Sequence, residues 1–204
     1  MTKMTMTLVL ARMGIFIIFL MTAAWQDLKA KQIRIWVLCL AGMAAVLFQV
    51  LTVFMALYTG EESVVRPMIM AGGAALYGDG SGTGSVWEVC LPYLSGLLPG
   101  VALLVFSWLS QGIGTGDGCF FLVSGLLLGL ADNLLLLCGA VFSSGLFGLG
   151  YYVFHCVNRC WNRNNDQKRK IGIGKTELPF LPFAVIPGIG IVVSRLVQME
   201  ILVL

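Results

Sequence analysis

Between residues 35 and 57 the chain carries no charged side chain at all. A helix of about 20 apolar residues is what it takes to cross the roughly 30 Å hydrocarbon core of a bilayer, so this run reads as a transmembrane helix. The rest of the sequence agrees with it. Only 11% of the residues are charged and 58% are hydrophobic, against about 25% charged in a typical soluble domain. So few charges cannot cover the surface of a water-soluble fold, and so many apolar residues exclude disorder. The expectation is one all-α integral membrane domain spanning residues 1–204. A net charge of +3, broken up by apolar runs, gives no nucleic-acid-binding surface.

Six runs qualify as spans or near-spans: residues 7–25, 35–57, 91–109, 119–131, 134–154 and 182–197. Asp132 and Asn133 are read as a tight turn between the fourth and fifth. Residues 67–77 are uncharged but short, and read as interfacial or re-entrant. Arg195 lies near the end of the last run, where a long basic side chain can reach the interface. The basic residues set the orientation, because Lys and Arg concentrate in cytoplasmic loops. Residues 26–34 carry Lys29, Lys31 and Arg34, and the loop 155–178 carries Arg159, Arg163, Lys168, Arg169, Lys170 and Lys175. The long loop 58–87 instead holds Glu61, Glu62 and Asp79 against Arg66. Six crossings then put both termini and the 58–87 loop outside, and the basic loops in the cytoplasm.

This topology brings two acids to one side. Asp27 falls in the first cytoplasmic loop and Asp117 in the short loop 111–118, whereas Asp132 belongs to the opposite face and Asp79 to the outer loop. Taken singly, Asp27 reads as a partner for Lys29 or Lys31, and Asp117 as an N-cap of the fourth span. Taken together, two carboxylates held close cannot both ionise, so one retains a proton while the other acts as a base. Such a pair activates water against a peptide carbonyl. Around Asp117 the glycines Gly112, Gly114, Gly116 and Gly118 alternate. They leave room for an extended peptide backbone and permit positive φ. The loop lacks the Gly-Lys-Ser/Thr of a phosphate-binding loop, and Gly78–Gly84 lacks the bidentate acid of an EF-hand. Cys156 and Cys160, with His155 beside them, have no second pair to complete four zinc ligands, so no metal is expected.

Gly114-Thr115-Gly116-Asp117 resembles the Gly-x-Gly-Asp signature of intramembrane aspartyl proteases, specifically the type IV prepilin peptidases. Asp27-Leu28, with Ile33 six residues after the aspartate, is similar to that family's first catalytic segment. The small residues Ser124, Gly125 and Gly129 resemble its helix after the signature, and Pro179-Phe180-Leu181-Pro182-Phe183 its Pro-Phe-Gly-Pro-Phe stretch before the last span. The likeness is to the short, peptidase-only members, which lack the paired Cys-x-x-Cys segment of the larger ones. It implies a multi-pass enzyme of the bacterial cytoplasmic membrane. Asp27 and Asp117 would be catalytic, Gly114 and Gly116 would form the active-site loop, and no cofactor would be needed. The implied substrate is a prepilin-like protein of a pilus or secretion system, whose short basic leader is removed at the cytoplasmic face. The alternative is a non-catalytic scaffold or a substrate-binding homologue. A carrier would show internal repeats, which the two halves of the chain do not.

Overall fold

The computed structural model describes residues 3–30, 34–59, 94–110, 114–161 and 180–203. Within these it is helical throughout, with no strand. The helices are α1 (Lys3–Ala30), α2 (Ile35–Thr59), α3 (Leu98–Ser110), α4 (Thr115–Leu128), α5 (Leu130–Trp161) and α6 (Pro182–Val203). Three stretches are long and apolar enough to cross a membrane: Thr7–Ala30, Ile35–Phe54 and Leu130–Val157. Leu94–Leu109, Thr115–Leu128 and Pro182–Gln198 are apolar but shorter. The loop 58–87 (from residue 60), the stretch 67–77, Gly78–Gly84, Ile33 and most of the basic loop 155–178 lie outside the described residues.

α4 is the hub, packed against α1, α2, α3 and α5, while α6 packs on α5 and α1. Phe16, Phe19, Leu20, Phe120, Phe121, Leu127 and Leu136 fill the centre, almost completely buried. Phe19 stacks on Phe120 with centroids 5.1 Å apart, and Phe121 meets Phe120 edge-on at 5.3 Å. Close helix contact rests on small residues, as it does between membrane helices. A Cβ on Gly96 would strike the Gly125 carbonyl oxygen, and one on Gly118 would come within 2.7 Å of Leu104. By contrast α2 and the second half of α5 turn large apolar side chains outward, among them Trp36, Leu47, Phe54, Phe142 and Phe154. That much exposed apolar surface suits lipid and not water.

Two interruptions are resolved internally. Pro187 within α6 has no N–H to give the Phe183 carbonyl one turn earlier. The Ser143 hydroxyl of α5 donates to that carbonyl instead, at 2.9 Å, and the proline ring fills the space left by Gly139. The α4–α5 break corrects the sequence expectation. It lies at Gly129, the one positive-φ glycine among the described residues (φ 84), and not at Asp132-Asn133. Both of those residues are helical and buried in the start of α5. Asn133 Nδ2 donates to the carbonyls of Gly96 (2.9 Å) and Phe121 (3.0 Å), and its Oδ1 accepts from Ser124 at 2.7 Å. An asparagine saturated in this way belongs to the core and not to a turn.

Candidate active site

Asp27 continues the inner stripe of α1. Phe16, Leu20, Ala23 and Asp27 recur at spacings of three and four, which places them on one helical face, and all four are buried. α1 runs on to Ala30, so Asp27 sits in its last turn and not in a loop as expected. The carboxyl faces the start of α6, where the backbone N–H of Leu181 donates to Asp27 Oδ2 at 2.9 Å. Pro182 follows as the first residue of α6, a position where its missing N–H costs nothing. Among the described residues Asp27 makes no ion pair with Lys29. Lys31 lies outside them.

Asp117 is the third residue of α4 and is partly buried. The N-cap is Gly114, in extended conformation (φ −65, ψ 132), and the Asp117 N–H bonds the Gly114 carbonyl at 3.1 Å. Asp117 is therefore not the cap that the sequence suggested. Gly114 does not use positive φ, and Gly116 is already helical. What the glycines give is open space: a Cβ on Gly114 would meet only the Asp117 carboxyl, at 3.6 Å or beyond. One turn along α4, Phe121 lies 6.4 Å from the ring of Phe180, on the segment that bonds Asp27. The two carboxyl groups, far apart in sequence, are near enough to act on each other electrostatically. Asp27, the Gly-x-Gly-Asp stretch and the described part of the Pro-Phe-Leu-Pro-Phe stretch thus converge at one end of the bundle.

Three exposed tryptophans mark the same end: Trp25 near the close of α1, Trp36 near the opening of α2, and Trp108 near the close of α3. Tryptophan favours the membrane–water interface. This ring of aromatics was legible in the sequence as three Trp residues flanking the two aspartates and went unread there.

At the other end the charges are spent on one another. Arg195 clamps Asp132 through two bonds, Nε to Oδ2 at 2.9 Å and an Nη to Oδ1 at 2.7 Å. Buried Arg12 donates to the Leu127 carbonyl in the last turn of α4, where a cation suits the helix dipole. Arg12 is thus a packing partner of α4. Cys156 is free and exposed beside His155. Among the described residues no three His, Cys, Asp or Glu side chains gather as a metal site would need.

No protein-family profile matches this chain, and no curated protein or solved structure matches it either.

Proposed function

We propose that the chain is a membrane-embedded aspartyl endopeptidase of prepilin-peptidase type, which removes a short basic leader from a prepilin-like protein at the cytoplasmic face. The observation that carries this reading is the meeting of Asp27 and Asp117, from opposite parts of the sequence, at one Trp-ringed end of an apolar helical bundle. A pair of carboxyl groups that shares one proton has what amide hydrolysis requires. One takes a proton from water as its oxygen attacks the scissile carbonyl carbon. The other gives its proton to the carbonyl oxygen. When the tetrahedral adduct collapses the C–N bond breaks, the first acid hands its proton to the leaving amine, and the second regains one from the adduct's hydroxyl.

A Cβ on Gly114 would meet only the Asp117 carboxyl, so the approach from that side is free of other side chains. The Asp117 N–H is taken by the Gly114 carbonyl, but the two N–H groups before it at the start of α4 have no intrahelical partner and are available to a substrate carbonyl. In this reading all six helices enter the bilayer, with the basic loops and the aspartate end towards the cytoplasm. No metal or other cofactor is called on.

The test is co-expression with a candidate prepilin, reading leader removal by gel shift and mass. Cleavage by the wild type but by neither Asp27→Asn nor Asp117→Asn supports the assignment. Cleavage unaffected by both substitutions overturns it. The orientation is checked separately by labelling a cysteine introduced at Ser81 from outside intact cells, and protection of that residue overturns the topology.

A further inference from the structure

Two helices begin at the aspartate pair, and they treat the two acids differently. Asp117 lies within the first turn of α4, and among the described residues no group donates a hydrogen bond to its carboxyl. Asp27 lies across the start of α6 and receives a direct one, from Leu181 N–H at 2.9 Å. That donor is held in place. The Leu181 side chain is wholly buried, Pro182 follows it, and the Leu181 carbonyl accepts from Ala184 N–H at 2.9 Å. A backbone N–H only donates, and such bonds are shorter and stronger when the acceptor is an ionised carboxylate. The field at a helix start also acts on Asp117, but more weakly than a direct bond. The other charged side chains described at this end, Lys29 and Arg34, are exposed, and the first turn of α6 carries none.

We infer that the start of α6 divides the labour of the pair. Leu181 is a positioning residue whose N–H holds Asp27 as the base that receives the proton of the attacking water, and this leaves Asp117 as the acid that protonates the carbonyl oxygen. The inference rests on the peptidase reading above. With Oδ2 engaged by Leu181, the Oδ1 oxygen is left for the water.

The experiment uses the full chain in lipid nanodiscs and a synthetic peptide with a short basic leader followed by an apolar segment. Wild-type cleavage, lost in Asp27→Asn, establishes the peptidase reading on its own. Leu181 is then replaced by its α-hydroxy acid, which turns the amide into an ester, removes the N–H and weakens the Phe180 carbonyl that accepts from Phe183 N–H at 3.1 Å. The expected result is a fall in kcat of about 10- to 100-fold, the scale of a lost charge-assisted hydrogen bond, with KM within about twofold. Leu181→Ala keeps the N–H but loses the buried side chain that holds it in place. It is expected to lower the yield of folded protein and to lower kcat per folded molecule by less than the ester does. Wild-type kcat in the ester protein, or an equal fall in Leu181→Ala, overturns the positioning role. The division of roles is read from the residual rates of the two amide variants. An asparagine at 117 still donates an N–H to the carbonyl oxygen, whereas an asparagine at 27 accepts no proton. Asp117→Asn is therefore expected at least about tenfold above Asp27→Asn, and equal or reversed residual rates overturn the assignment.

Discussion

The two ends of this bundle spend their charges in opposite ways. At one end Asp132 and Arg195 form a two-bond ion pair, Arg12 caps the last turn of α4, and Asn133 satisfies three hydrogen bonds. At the other end two acids lie near enough to influence one another, and the only hydrogen bond either carboxyl receives from the described residues is a single backbone N–H. An ionisable group among apolar helices is expensive, and the expense is tolerated for one of two reasons. A group that finds a complementary partner holds the fold together. A like-charged pair with spare acceptor capacity is poised for chemistry. Sidedness alone does not separate these cases, but the partner does.

Substitutions break or sharpen this contrast. The largest effect is expected at the aspartate end. Asp27→Asn should abolish leader cleavage and Asp117→Asn should lower it by about 10²–10⁴-fold, with both proteins accumulating normally, as immunoblotting of membranes alongside the cleavage assay would show. Asn133→Ala should do the reverse. It takes the amide donor from the carbonyls of Gly96 and Phe121, the second of which keeps the Ser124 hydroxyl at 3.2 Å, and should cost about 2–3 kcal/mol in detergent unfolding while leaving activity per folded molecule intact. Asp132→Asn uncouples Arg195 and should cost about 2 kcal/mol, less than a fully buried pair because the Arg195 side chain is 19% exposed. Adding Arg195→Gln to it should recover part of that loss. The smallest expected effect is at Gly116, where Val should reduce cleavage per molecule by about tenfold through crowding of the substrate path, with unchanged abundance. Falling abundance at constant specific activity would move Gly116 to the packing side of the contrast, beside Gly118.

The sequence carried the all-helical class, because uncharged runs leave little choice. It also carried the starts of α2 and α6, where Arg34 precedes one and Pro182 opens the other. It did not carry the α4–α5 boundary. Asp-Asn is a turn signal by local propensity, yet Arg195 and Gly96 supply partners from elsewhere in the chain that make the same two residues helical and buried. Asp27 was legible as a candidate from its side of the membrane, although it was read as a loop residue and the structure shows it extending the inward stripe of α1. That it meets Leu181 was not, since a backbone N–H has no signature among side chains. The glycines around Asp117 were read both for room beside a substrate and for positive φ; Gly114 gives the room without positive φ, and Gly118 instead packs close on Leu104. Glycine alone does not distinguish these uses. Neighbours do.

The shortness of α4 has a further consequence. Fourteen residues rise about 21 Å, against roughly 30 Å of hydrocarbon in an ordinary bilayer. α1, long enough to cross by itself, stands beside it. α4 is the centre of the bundle and not a lipid-facing wall. In a membrane-spanning arrangement the protein itself would make up the missing depth, and the Gly114–Asp117 turn would open below the headgroup level. An acid at the end of a short central helix would in this way be reached by water from a recess in one face.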